Sequence, residues 1–325
     1  MRIAVLTSGG DAPGMNAAVR AVARTAFAWR WGVVGIEAGY QGLVEGRFER
    51  LDNRRVGGIL QRGGTVLGTA RSTQFATTEG QELAASRLQK AGVEGLVVIG
   101  GEGSLTGALR LQEHGVKVVG IPATIDNDVF ATDTAIGVDT ALNTALEAID
   151  RIKDTASSHQ RAHVVEVMGR RCGYLALMSG IAGGAEVVLV PEFEAKPQEI
   201  IQAFTRAWEQ GKPHFIVVAA EGAPLSAGDI HKYINDTEGA FESRLTVLGH
   251  VQRGGSPTAF DRILASRMGT AAVKALSEAQ SGIMIGLGGR QTEYIPLERV
   301  VGQVRSLDAD IYEMAEVLAG LPEEI

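Results

Sequence analysis

The chain has 325 residues, 45% of them hydrophobic, which is enough for two domains of ordinary size. Its formal net charge of −7 argues against a general nucleic-acid-binding or membrane-binding surface, although an anionic substrate would need only a local cluster of arginines. The single cysteine, Cys172, cannot form an internal disulfide, which suits a reducing compartment. Met1 runs straight into an apolar strand and no apolar run is long enough to span a bilayer, so we expect a cytoplasmic protein without a signal peptide.

Predicted strands alternate with predicted helices along the whole chain. The strands are apolar runs rich in Val, Ile and Leu: Arg2–Leu6, Val33–Ile36, Leu96–Ile99, Val116–Ile121, His163–Val167, Glu186–Val190, Phe215–Ala219, Val247–Val251 and Ile283–Leu287. The helices are Asn16–Ala28, Gln81–Ala91, the segment from Ser104 to His114, Ala135–Lys153, Tyr174–Ala182, Pro197–Glu209, Asp261–Ala279 and Asp308–Ala319. This order predicts an α/β protein with mostly parallel sheet, and no low-complexity linker separates two halves.

Glycine-rich loops follow two of these strands and each opens a helix. They are Thr7–Asn16 (TSGGDAPGMN) and Gly100–Ser104 (GGEGS), and a third run, Arg62–Arg71 (RGGTVLGTAR), ends in an arginine. Glycine lets backbone N–H groups approach a phosphate closely, and a helix N-terminus adds positive potential. No GxxxxGK[ST] motif occurs, and Gly107 lies one residue too far along for GxGxxG, so each loop alone also fits a tight turn. The three loops together favour a phosphate site.

The segment GIPATIDND, Gly120–Asp128, closes a predicted strand and places Thr124, Asp126 and Asp128 at alternate positions. If the segment stays extended, these three side chains share one face just past the strand's C-terminal end, where open α/β sheets bind ligands. A carboxylate pair there can hold a metal ion and accept a proton from a hydroxyl group. An Asx-rich turn without a catalytic role fits the same residues, because Asp and Asn favour turns.

In the second half of the chain, arginines lie beside glycines and polar residues near strand ends. They fall in SSHQR (Ser157–Arg161), in VEVMGRRCG (Val165–Gly173) and around the predicted strand Val247–Val251, with Arg244 before it and His250, Gln252 and Arg253 at its end. Each arginine can be an ordinary surface residue and His250 a core histidine. Arginine binds phosphate oxygens in a fork, however, and the group together favours a polyol-phosphate site. The six histidines lack zinc-ligand spacing.

These motifs together resemble those of the bacterial type of 6-phosphofructokinase over nearly the whole chain. The matching segments are Leu6–Arg20, Arg62–Arg71, Val97–Ser104, Pro122–Asp128, Ser157–Arg161, Val165–Gly173, Ile181–Gly184 and Val247–Gly269. The resemblance implies two doubly wound, three-layer αβα domains: an ATP-binding domain of residues 1–138 and 252–305, and a fructose 6-phosphate-binding domain of residues 139–251 and 306–325. It further implies a Mg²⁺-dependent glycolytic homotetramer that uses ATP to phosphorylate the 1-hydroxyl of D-fructose 6-phosphate.

The resemblance also implies a role for individual residues. The ATP positions are Gly10, Arg71, Ser72, Gly101, Glu102, Gly103 and Ser104, with Glu102 and Asp128 at the metal. The fructose 6-phosphate positions are Thr124, Ile125, Asp126, Arg161, Met168, Gly169, Arg170, Glu221, Arg244, His250 and Arg253. Asp126 is implied to be the catalytic base, assisted by Thr124, Arg71 and Arg170. Arg161 and Arg244 are implied to reach into the active site of a neighbouring subunit.

The sequence departs from the family pattern at several positions. Glu102 stands where an aspartate is usual, which keeps the charge but lengthens the side chain. Pyrophosphate-dependent relatives typically carry Asp at the position of Gly103 and Lys at that of Ala123, so the small neutral residues here favour ATP, although the usual residue at 123 is glycine.

A regulatory site for ADP or phosphoenolpyruvate is implied less completely. Its candidate residues are Arg20, Arg24, Arg54, Lys153, Glu186, Lys212 and His214. Lys153 and Asn53 replace arginines and Pro213 replaces a lysine. Because lysine cannot reproduce the bidentate fork of arginine, we expect weakened or altered effector binding.

Three alternative functions compete with the ATP-dependent kinase. A pyrophosphate-dependent enzyme of the same fold is disfavoured by Gly103 and Ala123. A non-catalytic sugar-phosphate-binding regulatory subunit is disfavoured because Asp126, Thr124 and Arg71 are all present. A nicotinamide-dependent oxidoreductase is disfavoured by the shifted glycine spacing.

Overall fold

The apolar runs of the sequence form the buried strands of two sheets in the computed structural model, which describes residues 1–237 and 242–320. The strands are β1 (Arg2–Thr7), β2 (Gly32–Ile36), β3 (Phe48–Leu51), β4 (Gly95–Gly100), β5 (Val118–Pro122), β6 (Ala162–Val167), β7 (Val187–Leu189), β8 (Phe215–Ala220), β9 (Ser243–Val247), β10 (Ile283–Gly288) and β11 (Gln291–Pro296).

Ten α-helices lie within the described residues. They are α1 (Met15–Ala28), α2 (Gly39–Glu45), α3 (Thr78–Lys90), α4 (Glu102–Glu113), α5 (Val138–His159), α6 (Tyr174–Gly183), α7 (Pro197–Glu209), α8 (Ala227–Asp236), α9 (Ala259–Ser277) and α10 (Ala309–Leu318). Short 3-10 helices cover Gly249–Arg253 and Leu297–Arg299. None of the ten combines the length and the hydropathy that a bilayer crossing needs.

The first of two compact units comprises Met1–Thr140 and Arg253–Arg305. Its seven-stranded sheet has the order β11-β10-β5-β4-β1-β2-β3, with parallel pairing from β10 to β2 and antiparallel strands at both edges. Leu96 and Val98 of β4 pack in one core cluster with residues of α3 and α4. Their neighbours Val97 and Ile99 are equally buried and point to the opposite face, so both faces of this sheet are covered.

The second unit comprises Ala141–Gln252 and the segment from Ser306. Its four-stranded sheet has the order β7-β8-β6-β9 and is parallel throughout. Ala162, Val164 and Phe215 of the sheet pack against α7 and α8 on one face. Because all four strands run the same way, their carboxyl ends lie along one edge of the sheet and their amino ends along the other.

The predicted α/β class with mostly parallel sheet is confirmed in both units. The predicted domain limits lie close to the divisions between the units: 138 against 140, 252 against 253, and 305 in both. Which ligand each unit binds remains a prediction. The short elements α2, β3, α8 and β11 were not predicted.

The predicted strand Val247–Val251 is wrong. β9 covers Ser243–Val247, and the chain then turns through the 3-10 helix Gly249–Arg253. The apolar residues that suggested the strand lie on the surface, since Val247 is 56% exposed and Val251 is 63% exposed. β9 is an edge strand whose sequence, SRLTV, lacks the continuous apolar pattern of the central strands.

Asp261 joins the beginnings of two long helices in the first unit. Its carboxylate is fully buried and accepts hydrogen bonds from Gly137 N (2.9 Å), Thr140 N (2.9 Å) and Thr140 Oγ1 (2.5 Å). Its own N–H donates to Thr258 Oγ1, the N-cap of α9. Burial raises the pKa of Asp261, and the hydrogen bonds oppose that shift. The three accepted bonds hold the carboxyl group in place where α5 begins.

Asp261→Asn is expected to lower the free energy of unfolding by about 2–3 kcal/mol, because the new amide NH₂ would face backbone donors in a buried site. Chemical denaturation, with the native fold checked by circular dichroism, measures the loss. Asp229→Asn is the matched control, since Asp229 occupies the same third position of α8 but is exposed and should tolerate the change. Equal stability of the two variants would contradict this role for Asp261.

Candidate active site

The carboxyl ends of β1, β4 and β5 meet at one edge of the first sheet. Ser8 N donates a hydrogen bond to Ile99 O (3.0 Å), and Ala123 N donates to Gly100 O (3.0 Å). The backbones approach so closely that a Cβ atom on Gly100 would lie 2.4 Å from Ser8 O. The two glycine-rich loops and the loop of GIPATIDND therefore lie side by side, and the phosphate site that the sequence suggested for them remains a prediction.

The third glycine run lies against the first loop. Thr69 Oγ1 donates to Gly9 O (2.8 Å). Asn16 is fully buried; its amide group donates to Arg62 O (2.9 Å) and its Oδ1 accepts from Val66 N (2.7 Å). The side chain of Asn16 thus holds the third run in place, a role that its position at the end of the first loop did not reveal.

Tyr40 supports the second loop from behind. Its hydroxyl group donates to Ser104 O (2.6 Å), and its ring stacks on Phe75 with 4.1 Å between centroids. Burial raises the pKa of Tyr40 well above its usual range. Ser72 Oγ in turn accepts from Phe75 N (3.1 Å), while Arg71 beside it is exposed. Tyr40 thus links the start of α4 to the segment that contains Arg71 and Ser72, both predicted to bind the nucleotide.

The loop after β5 is a turn and not an extended segment, so the expectation of alternate side chains on one face is wrong. β5 ends at Pro122, and Thr124 Oγ1 accepts a hydrogen bond from Asp126 N (3.1 Å). Asn127 has φ 52° and is fully buried, with Oδ1 accepting from Ala135 N (3.1 Å). The segment therefore bends after β5, and the side chains of Thr124 and Asn127 hold its backbone.

Burial differs among the predicted catalytic residues of this loop. Asp126 is 3% exposed and Ile125 is 1% exposed, whereas Thr124 and Asp128 are half-buried. A carboxylate that is nearly excluded from water interacts more strongly with nearby charges than an exposed one does. The burial of Asp126 is compatible with the base role that the resemblance implies, and that role remains a prediction.

The predicted metal residues are all oxygen donors. Glu102 is the first residue of α4, and its Oε1 accepts from Thr106 Oγ1 (3.2 Å) and Gly302 N (3.4 Å). Across residues 1–237 and 242–320, no group of three or more His, Cys, Asp and Glu side chains is arranged to hold a metal ion. Glu102 and Asp128 alone would leave most of a cation's positions to phosphate oxygens and water, which is how proteins commonly bind Mg²⁺.

Two glycines of the predicted nucleotide loops differ in their surroundings. A Cβ atom on Gly10 would lie 1.9 Å from Arg253 Nη1, so the guanidinium group of Arg253 rests against this loop. Gly103 is exposed, and a Cβ atom there would meet no described atom within 4 Å. Gly101 caps α4 in extended conformation. An arginine predicted to bind the sugar phosphate and a loop predicted to bind ATP are thus in contact within one unit.

In the second unit, the carboxyl ends of β6 and β8 bring several predicted sugar-phosphate residues together. Met168 N donates to Oε1 of the fully buried Gln252 (2.8 Å). Gly169 has φ 148° and Arg170 has φ 52°, and Arg170 N donates to Glu221 Oε1 (2.9 Å). Met168, Gly169, Arg170 and Glu221 thus lie together at one sheet edge, and their binding of a sugar phosphate remains a prediction. Gln252, which the sequence grouped with His250 and Arg253, anchors the backbone of Met168.

The predicted residue His250 lies beyond the same edge. It is exposed in the 3-10 helix that follows β9, and the preceding Leu248 N donates to Glu166 O (3.0 Å). Burial raises the pKa of Glu166, and the nearby Glu221 adds to that shift. Acidic groups thus accompany the arginine at this edge.

Arg161 and Arg244 lie at the opposite end of the sheet. Arg161 directly precedes β6 and Arg244 is the second residue of β9, whereas Arg170 follows the end of β6. At about 3.3 Å per residue, the length of β6 separates the two ends by roughly 20 Å. Within one chain, the structure does not bring these two arginines to the carboxyl edge that carries Arg170.

The effector candidates of the second unit form one polar group. Lys153 Nζ donates to Gly183 O (2.8 Å). Glu186 is 7% exposed; one of its oxygens accepts from Ile216 N (2.7 Å) and the other pairs with Lys212 Nζ (3.4 Å). These three charged side chains already have protein partners.

The remaining effector candidates fall into two places. His214 Nδ1 is 2.8 Å from Ser157 Oγ, and its pKa is lowered mainly by burial and further by Lys153 and Lys212, against the opposing charge of Glu186. Arg20, Arg24 and Arg54 belong to the first unit, the first two on α1 and the third beyond β3. A shared effector site of both sets remains a prediction.

His163 is a further buried titratable residue of the second unit. It is 9% exposed, it lies opposite Arg244 in the β6–β9 register, and its Nδ1 has no hydrogen-bond partner among the described residues. Burial lowers the pKa of His163, and Arg161 and Arg244 lower it further. The imidazole ring is therefore neutral at neutral pH.

The chain has the construction of a nucleotide- and phosphate-binding α/β protein, with glycine-rich loops at the carboxyl ends of parallel strands. A family model described as phosphofructokinase matches residues 2–276. The chain belongs to the phosphofructokinase family, which confirms the resemblance found in its sequence.

Similar proteins cover nearly the whole chain. An ATP-dependent 6-phosphofructokinase of Thermotoga neapolitana is 51% identical over 319 residues, covering 98% of this chain and 99% of that protein. ATP-dependent 6-phosphofructokinase 1 of Thermus thermophilus is 52% identical over 320 residues, with the same coverage. The crystal structure of Pichia pastoris phosphofructokinase superposes with a TM-score of 0.90 at 38% identity; it matches 99% of this chain, which spans only 38% of that longer one.

Acidification is expected to destabilise the protein partly through His163. In the unfolded chain the pKa of a histidine is near 6.5, and folding lowers the pKa of His163. Below about pH 6.5 the unfolded chain therefore binds more protons at this residue than the folded chain does. Stability due to this group is present above about pH 6.5 and is lost as the pH falls through the folded pKa. Thermal unfolding between about pH 7.5 and 5 should therefore show a shallower decline for His163→Gln than for the wild type.

His159→Gln is the control for this pH series, because His159 is exposed. It should keep the wild-type slope. Parallel curves for the wild type and His163→Gln would show that His163 titrates as freely in the folded protein as in the unfolded chain.

Proposed function

We infer that the chain is an ATP-dependent 6-phosphofructokinase that transfers the γ-phosphoryl group of ATP to the 1-hydroxyl of D-fructose 6-phosphate, a glycolytic step that gives fructose 1,6-bisphosphate and ADP. The observation that carries this proposal is the meeting of the loops after β1, β4 and β5 at one sheet edge. Relatives about half identical over nearly the whole chain support the choice of substrate and donor.

The proposed catalytic base is Asp126. The attacking sugar hydroxyl must lose a proton as it bonds to phosphorus, and a carboxylate within hydrogen-bond reach accepts it. The hydrogen bond from Asp126 N to Thr124 Oγ1 fixes the turn that presents this carboxylate. Arg71, Arg170 and Arg253 supply positive charge toward phosphate oxygens, which is where most catalysis of phosphoryl transfer arises.

Mg²⁺ is part of this proposal. Glu102 and Asp128 would hold it, together with phosphate oxygens of ATP and water. When bound, the cation would neutralise charge on the transferring phosphoryl group. Glu102 is already turned toward Thr106 and Gly302 by hydrogen bonds, so we expect its contact with the cation to pass through water.

Gly103 and Ala123 favour ATP over pyrophosphate. The space around Gly103 is open, and Ala123 is buried beside Gly100, to which its N–H donates. A carboxylate at position 103 would repel the nucleotide phosphates, and a lysine at 123 would supply a charge suited to pyrophosphate. Neither is present, so the pyrophosphate-dependent enzyme stays the second candidate.

Assembly into a homotetramer is also proposed. Arg161 and Arg244 lie at the amino end of the second sheet, away from Arg170 and Glu221. If all of them bind the same sugar phosphate, Arg161 and Arg244 must serve the active site of another subunit. The position of these arginines supports the shared site that the family resemblance implies.

Regulation and location complete the proposal. We place ADP or phosphoenolpyruvate at the polar group around Lys153, Lys212 and His214, with weakened affinity because Lys153 and Glu186 are engaged by backbone groups. We place the enzyme in the cytoplasm, where its substrate class occurs and where a single cysteine would stay reduced.

Asp126→Asn tests the proposed reaction. A coupled assay for fructose 1,6-bisphosphate should show activity of the wild type with ATP and little with pyrophosphate. The variant should lose about 10²–10⁴-fold in kcat, because an amide cannot accept the proton, while its affinity for fructose 6-phosphate stays close to that of the wild type. Turnover at the wild-type level would remove Asp126 from its role, and activity with pyrophosphate alone would select the second candidate.

Mixing two inactive variants tests the shared site. Arg244→Ala removes a proposed phosphate contact and Asp126→Asn removes the proposed base, so at low fructose 6-phosphate each homotetramer should show little activity. In randomly mixed tetramers about a quarter of the sites take Asp126 from one chain and Arg244 from another, and these should be active. Hybrids without activity above the parents, or full activity in a verified monomer, would contradict the shared site.

A further inference from the structure

Four polar side chains share one face at the amino ends of β6 and β9. In the parallel register Ala162 lies opposite Ser243 and His163 lies opposite Arg244. Side chains alternate along a strand, so Arg161 and His163 point to one face of the sheet, and Glu242 and Arg244 point to the same face. We call Arg161, His163, Glu242 and Arg244 the edge cluster.

The strand between Glu242 and Arg244 is anchored from the opposite face. Ser243 is fully buried; its N–H donates to Asn235 Oδ1 (2.9 Å), and its hydroxyl group lies 2.7 Å from His231 Nδ1, both on α8. These contacts fix the backbone without help from the carboxylate of Glu242. The side chain of Glu242 is therefore not needed to hold β9 in the sheet.

Glu242 pairs with both arginines of the edge cluster. Its Oε2 lies 3.0 Å from Arg161 Nη2 and its Oε1 lies 2.5 Å from Arg244 Nη2. The hydrogen bond from Arg244, with further attraction from both guanidinium groups, holds the pKa of Glu242 below its usual range. His163 stays neutral, so the cluster carries two positive charges and one negative charge.

All three charged side chains of the edge cluster are open to solvent. The exposed fractions are 33% for Arg161, 47% for Arg244 and 53% for Glu242. The side chain of Glu242 can rotate away from the two arginines into solvent. Because its carboxylate is already hydrated, this movement does not require a buried charge to be solvated again. The pairing is therefore exchangeable, and exposed ion pairs of this kind contribute little to stability.

We propose that Glu242 is an internal counter-ion that occupies Arg161 and Arg244 and that the phosphate group of the sugar phosphate must displace. The proposal rests on the inferred function, in which both arginines bind that phosphate. A phosphate that bridges the two guanidinium groups takes the place of the carboxylate and is repelled by it while it remains near. Glu242 thus lowers the affinity for fructose 6-phosphate.

The opposite effect has a physical basis as well. Without Glu242 the two guanidinium groups repel each other, which would disturb their placement. Both guanidinium groups are partly exposed in the single chain, where salt screens their repulsion, and β6 and β9 hold their backbones. Glu242 therefore matters more as an anion that competes with phosphate than as a negative charge that keeps the two guanidinium groups in place. Neutralising Glu242 should tighten the binding of fructose 6-phosphate.

Glu242→Gln, studied in the full-length protein, tests this proposal. The KM for fructose 6-phosphate should fall about two- to fivefold, the change expected for removing exposed ion pairs. The ratio to wild type should shrink as salt rises. Glu242→Asp, which keeps the charge, should not lower KM. Glu113→Gln is the matched control, since Glu113 pairs with Arg110 on the surface of α4 at a similar exposure.

The lower KM expected for Glu242→Gln must depend on Arg244. In an Arg244→Ala background, adding Glu242→Gln should change KM much less than it does in the wild type, as a double-mutant cycle measures. An unchanged or higher KM for Glu242→Gln, with unfolding temperature and kcat retained, would overturn the counter-ion role and leave Glu242 as a bystander or a positioning residue.

Failure of the inferred function is distinguishable from failure of this proposal. Should the protein not phosphorylate fructose 6-phosphate, inorganic phosphate is the probe, and calorimetry compares its affinity in the wild type, in Glu242→Gln and in Glu242→Gln with Arg244→Ala. Tighter phosphate binding by Glu242→Gln that is lost in the double variant supports the counter-ion. Equal affinities of the wild type and Glu242→Gln overturn it.

Discussion

Close backbone approach where β1, β4 and β5 end sets the shape of the edge that carries the glycine-rich loops of the first unit. The loops after these strands touch through main-chain atoms, and a single Cβ atom on Gly100 would already collide with Ser8 O. The start of α4 lies at this edge with Glu102 half-buried and Gly103 exposed, and a helix N-terminus suits an anion. Asn16 and Tyr40 hold the surrounding segments from behind, and Ser104 Oγ lies at the point of contact itself, 2.5 Å from where a Cβ atom on Gly100 would be.

The direction of the strands imposes a second constraint, this time on the second unit. A parallel sheet collects its following loops at one edge, and Met168, Arg170 and Glu221 gather there. Residues that precede the strands are excluded from this edge by the length of the strands themselves. Arg161 and Arg244 consequently lie at the amino end of this sheet, away from Met168, Arg170 and Glu221.

The sequence predicted the buried parallel strands well, because a continuous run of Val and Ile is typical of a strand that is covered on both faces. It did not predict the short edge strands β3 and β11, whose half-exposed residues lack an apolar pattern. It also placed β9 four residues too late, because the apolar residues Val247 and Val251 that suggested the strand are exposed. Helix α8 did carry a signal, since Ser226 caps it and accepts from Asp229 N.

The candidate site also combines features that could be predicted from the sequence with features that could not. Glycine-rich loops at strand ends could be predicted from sequence, because the chain order fixes which strand each loop follows. The supports Asn16, Tyr40, Gln252 and Asp261 could not, because each acts on a segment far away in the chain. The alternate pattern of Thr124, Asp126 and Asp128 was misleading, since Asn127 turns the backbone where a strand was assumed to continue.

Burial distinguishes the roles of the carboxylates in this protein. Asp261 has no exposure and its oxygens are occupied by backbone and hydroxyl donors, so it can only be structural. Glu186 is nearly buried and divides its oxygens between a backbone N–H and Lys212, which leaves a partial capacity to respond to a ligand. Glu242 is half exposed and pairs with two guanidinium groups, so its partners can be exchanged. The more water reaches a carboxylate, the smaller is the free energy that a competing phosphate must supply to replace it.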